Sequence, residues 1–409
     1  MVDVIVIGGG PAGMMAAGRA ASQGRSVLLL EKNRTLGKKL SISGGGRCNI
    51  LNAQENVQTL LENYGAAKKF LFSSFTQFGV TQTFAFFEQH GLPLVVQANN
   101  RAFPQTEKAD DVVRTMQNFL REGNVEVRAG VTVKKILHDE KNITGVDIGD
   151  EILTAHSYIV ATGGNSHPET GSTGDGFKWL QQVGHTVSNP TPAIVPIAVR
   201  DQWVRSLAGT SLDGVRITFF VDGKKKLQIA GRVLCTHFGL SGPLILNSAV
   251  KIADLLQEGE VTGTIDLFPK LDLGSTDRHI IEVFERNKNK SLSNALKFAV
   301  PAGTAAAILS LLPDLDPETK VHSVSKEDRK ALSQLLKTLP LHVLGLMGLD
   351  RAVIVDGGVV LDEVDGKTFR SKKFPNLFLI GDVLHINRPS GGFSLQLCWT
   401  SGWVAGSHA

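Results

Sequence analysis

The fold of this chain is decided by residues 2–31, which read VDVIVIGGGPAGMMAAGRAASQGRSVLLLE. Residues 2–7 are short, apolar and β-branched, a pattern that predicts a fully buried strand. Residues 11–23 are rich in small side chains and predict a helix. Residues 27–30 predict a second buried strand. A strand, a helix and a strand in this order predict a parallel sheet with a right-handed crossover.

The turn between the first strand and the helix contains Gly8-x-Gly10-x-x-Gly13, the fingerprint of dinucleotide-binding proteins. Gly8 permits the tight turn, Gly10 lets the backbone approach a pyrophosphate, and Gly13 lets the helix pack on the strand. The phosphates would meet free N–H groups at the positive end of the helix. Glu31 ends the second strand, where its carboxylate can accept hydrogen bonds from ribose hydroxyls and would repel a 2′-phosphate. The stretch therefore predicts an ADP-containing cofactor other than NADP.

The ends of two later strands favour FAD over NAD. Hydrophobic segments end in Ala161-Thr162-Gly163-Gly164 and in Gly381-Asp382, which is typical of FAD-binding Rossmann-type proteins. Asp382 can bind the ribityl hydroxyls of an extended FAD, whereas NAD has no ribityl chain. No second Gly-x-Gly-x-x-Gly follows a strand, so we expect no separate NAD(P)H-binding domain. NAD(P)H remains a candidate transient electron donor.

Composition restricts the class of protein further. The 409 residues are 42% hydrophobic and carry a net charge of +4, so a large core is available and disorder is not expected. Such a small charge excess predicts neither a nucleic-acid partner nor a membrane surface. No apolar run is long enough for a transmembrane helix, and the first residues lack the features of a signal peptide. We therefore predict a soluble, cytoplasmic protein.

The three cysteines, Cys48, Cys235 and Cys398, lie far apart and form no Cys-x-x-Cys motif. This pattern argues against a disulfide framework and against a zinc site, and we predict no metal. We expect Cys48 to have a structural role rather than to act as a redox thiol.

The chain is α/β at both ends, with an insertion between them. Residues 194–268 predict short strands, and residues 275–340 predict helices with a proline-rich break at 313–317. A last buried strand is predicted at 376–380, and the N-terminal sheet is the obvious sheet for it to join. The nucleotide-binding domain should therefore be discontinuous in sequence.

Six further motifs carry a resemblance to a known family. They are residues 36–40 (LGKKL), 42–49 (ISGGGRCN), 101–104 (RAFP), 170–176 (TGSTGDG), 236–243 (THFGLSGP) and 391–396 (GGFSLQ). Over nearly its whole length the chain resembles the BaiN-like flavoproteins, also called aminoacetone-oxidase-like FAD-binding enzymes. The resemblance implies FAD binding, oxidoreductase activity and three structural parts. These are a Rossmann-type FAD-binding domain over 1–190 and 346–409, a β-barrel-like domain over 191–272 and about 341–345, and a helical subdomain over 273–340.

The segment after Gly381 departs from the family pattern. Asp382 stands where the family usually has Glu, and His385 and Arg388 replace the acidic character of the stretch that follows it in the family. Phe393-Ser394 stands where Tyr-Asn is commoner. The cofactor contact of Asp382 is expected to survive this change, because a carboxylate is retained.

Several residues are candidates for contact with the cofactor. The glycine-rich loop at 43–49 could lie against the isoalloxazine or the pyrophosphate, with Arg47 neutralising charge, and the helix after Gly392 could direct its N–H groups at the N1–O2 edge of the flavin. The full predicted cofactor-binding set is Gly8, Gly10, Pro11, Ala12, Gly13, Glu31, Lys32, Lys38, Ser43, Gly44, Arg47, Cys48, Asn49, Val133, Thr162, Gly163, Gly381, Asp382, Gly392, Phe393, Ser394 and Leu395.

Two histidines are candidate proton donors or acceptors, because an imidazole changes its charge near neutral pH. We expect the inserted segment to cover the flavin, with His237 on the wall of the substrate pocket; His385 is the second candidate. A buried structural role is the alternative for His237. His167 and His185 are expected on surface loops or helices.

These features predict an FAD-dependent oxidoreductase that transfers a hydride between a small organic substrate and flavin. The other redox partner would be O2 or NAD(P)H. An FAD-dependent RNA-modifying protein and a non-catalytic flavin-binding regulatory protein are the alternatives. The RNA alternative predicts a basic face, and the net charge of +4 argues against it.

Overall fold

The computed structural model describes residues 1–409 and divides into two compact units. The first unit comprises Met1–Ala193 and Leu349–Ala409, and the second comprises Ile194–Gly348. A parallel sheet in the first unit and a closed antiparallel barrel in the second confirm the predicted α/β fold class. The predicted residue bounds of three separate parts stay a prediction.

The strands, in chain order, are β1 Val2–Ile7, β2 Val27–Glu31, β3 Leu51–Asn52, β4 Leu94–Gln97, β5 Arg101–Pro104, β6 Glu126–Ala129, β7 Lys135–His138, β8 Ile143–Asp147, β9 Ile152–Leu153, β10 Ala155–Val160, β11 Val187–Pro192, β12 Ile197–Val199, β13 Ser211–Val221, β14 Lys224–Cys235, β15 Gly239–Ser241, β16 Val261–Asp266, β17 Leu339–Leu346, β18 Val355–Val359 and β19 Leu377–Leu379.

The α-helices are α1 Pro11–Ser22, α2 Lys38–Ser41, α3 Val57–Leu61, α4 Lys68–Gln77, α5 Val80–Gln89, α6 Ala109–Glu122, α7 Asp175–Gln182, α8 Gln202–Ser206, α9 Pro243–Leu246, α10 Ala249–Glu258, α11 Leu273–Arg286, α12 Leu292–Leu296, α13 Ala305–Leu309, α14 Lys326–Lys337 and α15 Phe393–His408.

The main sheet of the first unit has the strand order β19-β10-β1-β2-β6, and every neighbouring pair is parallel. The central strands β1 and β2 are buried on both faces, as continuous apolar runs such as VLLLE predict, whereas the edge strand β6 is largely exposed. The last strand, β19, joins β10 at the edge of this sheet, which confirms that the C-terminal part of the chain completes the N-terminal sheet.

The second unit contains a closed barrel of β12, β15, β14, β13, β16 and β17. In β13, buried Ile217, Phe219 and Val221 alternate with more exposed residues, as one-sided burial of an antiparallel strand requires. Residues of α11–α14 pack in the same hydrophobic cluster as the barrel strands. The barrel and the helices of this unit therefore share one core.

No helix combines the length and the apolar character that crossing a membrane requires. All three cysteines are buried free thiols. Burial raises the pKa of Cys48 to about 12, so this thiol stays protonated at neutral pH.

The expectation that His185 lies at the surface is wrong, because this histidine is only 3% exposed. Its Nδ1 atom lies 2.7 Å from Glu363 Oε2, and its Nε2 atom lies 3.0 Å from Ser371 Oγ. Burial lowers the pKa of His185, although Glu363 opposes the shift. The three side chains fasten the start of β11 to the segment that precedes β19.

Glu363 holds this cluster as an ionised acceptor. Burial alone would raise the pKa of its carboxyl, but hydrogen bonds from Lys373, Thr186 and His185 outweigh that effect and lower the pKa to about 2. A carboxyl whose pKa is depressed on folding stabilises the folded state at pH values above the unfolded pKa.

Replacing Glu363 by Gln should therefore lower the free energy of unfolding by up to about 3 kcal/mol near neutral pH. The difference from the unsubstituted protein should shrink as the pH falls from about 4.5 towards 2. Urea denaturation at several pH values measures it. Glu62→Gln, which removes an exposed carboxylate, serves as the control. A deficit that is independent of pH would contradict the role given to this carboxylate.

Candidate cofactor site

Four parallel strands bring their carboxyl ends to one edge of the main sheet. Ile7 is in register with Leu30 on one side and with Val160 on the other, and Val160 is in register with Leu379. In open α/β sheets ligands bind beyond this edge. The edge carries these predicted cofactor residues: Gly8, Gly10, Pro11, Ala12, Gly13, Glu31, Thr162, Gly163, Gly381 and Asp382.

Glycine is found at the three fingerprint positions for different physical reasons. Gly8 has a φ of +109°, and a Cβ atom there would lie 2.5 Å from the Ala161 carbonyl oxygen. A Cβ atom on Gly13 would lie 1.9 Å from the Gly8 carbonyl oxygen. Gly10 has φ −78°, open to any residue, and a Cβ atom there would meet no protein atom within 4 Å. The packing of the chain explains Gly8 and Gly13, whereas the space beside Gly10 fits a bound cofactor.

Glu31 fixes the loop that follows β1. One carboxylate oxygen accepts a hydrogen bond from the Gly9 N–H at 2.7 Å, and the other accepts bonds from the backbone and side-chain nitrogens of Asn33, both at 2.7 Å. A carboxylate offers about four acceptor positions, so about one remains for a ribose hydroxyl. The predicted ribose contact is compatible with this arrangement.

Lys32 and Lys38 bind the loop that contains the TGSTGDG motif. Lys32 Nζ lies 2.9 Å from Asp175 Oδ2, and Lys38 Nζ donates to the carbonyl oxygen of Glu169 at 2.7 Å. Val133 is buried and comes two residues after Val131, whose N–H donates to the Glu31 carbonyl oxygen at 3.0 Å. Cofactor contacts for these three residues stay predictions.

The glycine-rich loop is a tight turn rather than a strand or a regular helix. Ser43 Oγ donates to the Leu40 carbonyl oxygen at 2.7 Å, and Gly44 has a φ of +58°. With its side-chain amide turned to satisfy its neighbours, Asn49 accepts a hydrogen bond from the Gly392 N–H at 3.0 Å. The loop is thereby tied to the start of α15.

Arg47 points from this loop at protein groups of β4, β5 and the turn after β5. Its guanidinium forms an ion pair with Glu107, donates a hydrogen bond to Gln97 at 2.8 Å, and stacks over the Phe103 ring at 4.4 Å. The structure thus gives Arg47 an acidic protein partner, and its predicted role in neutralising the cofactor stays a prediction.

The start of α15 is fixed by close backbone contact. Gly392 has a φ of +98°, and a Cβ atom there would lie 2.2 Å from the carbonyl carbon of Leu51. The carbonyl oxygen of Phe393 accepts a hydrogen bond from the Tyr64 hydroxyl at 2.8 Å. Ser394 and Leu395 follow in the first turn, so the predicted residues 392–395 lie together at the N-terminus of this helix.

A buried charge cluster lies between β19 and α15. Asp382 pairs with Arg388, and Arg388 Nε donates to Ser394 Oγ at 3.1 Å. Lys39 interacts electrostatically with both Asp382 and Arg388, and burial lowers the pKa of its ammonium group while Asp382 opposes the shift. Lys39 is absent from the residues predicted to bind the cofactor, although the LGKKL motif contains it. Arg388 is marked in the sequence only as a departure from the family pattern.

The two candidate catalytic histidines lie in different units. His385 Nε2 is 2.9 Å from Asp356 Oδ1, and both side chains are partly exposed. His237 is exposed in the turn between β14 and β15 and contacts the Phe238 ring. Sequence analysis missed Asp356, which no local motif marks. A catalytic role for either histidine stays a prediction.

The fold and the edge of the sheet define a Rossmann-type dinucleotide-binding protein. A family model, the HI0933-like protein Rossmann domain, matches residues 2–408, and the chain belongs to this family. This confirms the family resemblance and the class of FAD-dependent oxidoreductase predicted with it.

Curated proteins from several organisms match nearly the whole chain. A "Ribosomal RNA dihydrouridine synthase" from Escherichia coli (strain K12) is 28% identical over 98% of this chain and 96% of its own. A "3-dehydro-bile acid delta(4,6)-reductase" from Clostridium scindens is 27% identical over 99% of this chain and 98% of its own. Among solved structures, a 3-ketosteroid delta1-dehydrogenase from Sterolibacterium denitrificans has a TM-score of 0.55 at 14% identity, covering 100% of this chain and 99% of its own. This likeness supports the fold alone.

Replacing Gly10 by Val should abolish FAD retention and leave the protein folded, because the new side chain would occupy only the predicted pyrophosphate position. FAD per chain after desalting, and the melting temperature of the FAD-free protein, measure the two effects. The unsubstituted protein should release FAD rather than FMN.

Gly13→Ala is the matched comparison, since its Cβ atom would meet the Gly8 carbonyl oxygen and should lower the melting temperature directly. Stoichiometric FAD in Gly10→Val would show that the cofactor is bound elsewhere.

Proposed function

We propose that this protein uses bound FAD to reduce a carbon–carbon double bond conjugated to a carbonyl group. The observation that carries the proposal is the meeting of the fingerprint turn, Asp382 and the N-terminus of α15 at one edge of the sheet. FAD bound there would supply a hydride from N5. The names of the Escherichia coli and Clostridium scindens relatives describe reduction of a double bond, which supports this direction of transfer.

The chain's own residues would bind and orient the cofactor. Main-chain N–H groups of Ala12 and Gly13 lie in the first turn of α1, which favours a pyrophosphate beside Gly10. Asp382 has one carboxylate oxygen committed to Arg388, and its other oxygen can accept from a ribityl hydroxyl. The N-terminus of α15 would stabilise negative charge at the flavin.

Reduction of a conjugated double bond also needs a proton at the second carbon. In the FAD-binding unit the candidate donor is His385, because its Nε2–H can donate to Asp356 while a protonated Nδ1 is left to give its proton to a substrate. His237 is the candidate from the inserted unit. A donor of this kind accelerates a reaction by about 10²–10⁴-fold.

A uridine base in RNA is the second candidate substrate. Its double bond is conjugated to a carbonyl, so the same chemistry applies, and the name of the Escherichia coli relative favours it. Exposed Lys224 and Lys225 at the start of β14 offer positive charge in the barrel unit, whereas Lys226 pairs with Glu258 at 2.6 Å. The prediction of no nucleic-acid partner rests on the small net charge of the chain, and an experiment with uridine-containing RNA tests it.

NADPH or NADH should reduce the flavin of the purified protein under anaerobic conditions, and a conjugated enone should reoxidise it. Loss and return of the oxidised-flavin absorbance measure both steps. Parallel mixtures contain a small amine, O2, a saturated ketone or uridine-containing RNA. Faster reoxidation by RNA than by every enone would favour the second substrate. Reduction by the amine with no response to either nicotinamide would overturn the proposal in favour of an oxidase.

His385→Gln should slow reoxidation by the enone about 10²–10⁴-fold and leave reduction by NAD(P)H unchanged, because the proton is needed only in the second step. Stopped-flow absorbance separates the two steps. His237→Ala is the matched comparison from the other unit. Unchanged reoxidation in His385→Gln, with a loss in His237→Ala, would transfer the role to His237.

A further inference from the structure

We infer that Arg388 is a positioning residue that orients Asp382 for the cofactor and raises the reduction potential of the bound flavin. The inference rests on the proposed placement of FAD at the edge of the main sheet. The proposed function assigns the fingerprint turn to binding the ADP half of the cofactor. The role inferred for Arg388 is directed at the flavin half.

All the polar ends of Arg388 are committed inside the protein. The residue is 4% exposed, and one terminal nitrogen forms the ion pair with Asp382. The other terminal nitrogen donates to the Ile386 carbonyl oxygen at 2.6 Å, and Nε donates to Ser394 Oγ at 3.1 Å. The guanidinium therefore bridges the end of β19 and the first turn of α15, the two places predicted to contact the ribityl chain and the flavin.

Arg388 lies among both acidic and basic groups. It forms the ion pair with Asp382, and Lys39 interacts electrostatically with both of these residues. Glu169 also interacts with Lys39, and its carboxylate lies 2.8 Å from His167. Burial raises the pKa of the Cys398 thiol to about 12, so Cys398 adds no negative charge. A buried guanidinium is unfavourable unless an anion shares its site, and Asp382 is the carboxylate that forms an ion pair with Arg388.

The N-termini of α1 and α15 add positive potential to the same region. Bound FAD would add negative charge to this region. Its pyrophosphate is an anion, and the N1–O2 edge of the flavin gains negative charge on reduction. A fixed positive charge beside that edge stabilises the reduced cofactor more than the oxidised one, and it therefore raises the reduction potential.

The test compares Arg388→Gln with Asp382→Asn, because the inference gives them opposite effects. Removing the cation should lower the potential and removing the carboxylate should raise it, whereas a purely structural ion pair would make both variants shift the same way. Sulfite is the second probe, since its affinity for protein-bound flavin rises with positive charge near the N1–O2 edge. Arg388→Lys keeps the charge and should restore most of the effect.

We expect Arg388→Gln to bind sulfite at least tenfold more weakly than the unsubstituted protein. The equilibrium ratio of reduced to oxidised FAD at a given solution potential should also fall at least tenfold. That ratio corresponds to about 30 mV for a two-electron couple. Arg121→Gln is the charge-matched control, because Arg121 is exposed in the last turn of α6 and lies away from the fingerprint turn. Gly123, two residues further on, contacts Ala21 at the C-terminal end of α1, whereas the fingerprint turn lies at its N-terminal end. Arg121→Gln should change neither quantity.

FAD content and the melting temperature of the FAD-free protein are measured first for each variant. If Arg388→Gln loses FAD on desalting, both probes are read with FAD restored in excess. A variant that binds FAD with unchanged potential and sulfite affinity would overturn this inference and leave the proposed function standing. An unsubstituted protein that binds no FAD would instead overturn the proposed function.

Discussion

Backbone contact between α1 and α15 holds the two ends of the chain together, and the architecture of the first unit depends on it. A Cβ atom on Gly402 would lie 2.5 Å from the Ala12 carbonyl oxygen, and one on Gly406 would lie 2.4 Å from the Ala16 carbonyl oxygen. The helices can approach this closely only because these positions have no side chain. α1 is thus packed between β1 and α15, with its N-terminus fixed at the edge of the sheet.

This contact also explains how one cofactor site can be built from distant parts of the sequence. Gly381 has a φ of +66°, and a Cβ atom there would lie 3.1 Å from the Ala12 Cβ. The Gly381 N–H donates to the Ser401 hydroxyl of α15 at 3.1 Å. Once α15 lies on α1, the end of β19 is therefore held beside the fingerprint turn. Asp382 and Arg388 enter the site through this chain of contacts.

The sequence predicted the parts of the fold that local patterns specify. The bounds of β1 and the start of α15 agree with the structure to the residue, because a β-branched run and a glycine pair mark them. The burial of His185 could not be foreseen, since its partner Glu363 lies 178 residues away. Asp356 escaped notice for the same reason: only pairing of β18 with the segment after β19 brings it to His385. Spacing along the chain carries no information on such contacts.

Two features of the first unit are not explained by the protein alone. Gly10 has a backbone conformation and a free space that would accept a side chain, so its own packing does not require glycine. Arg388 is a buried cation at the edge of the sheet, and Lys39 and the N-termini of α1 and α15 add positive potential near it. A bound anionic dinucleotide accounts for both, because its pyrophosphate needs the space at Gly10 and its charge offsets the cations. The positive charges of Arg388 and Lys39 would then favour the reduced flavin. Arg388 would thereby link binding of the cofactor to its reduction potential.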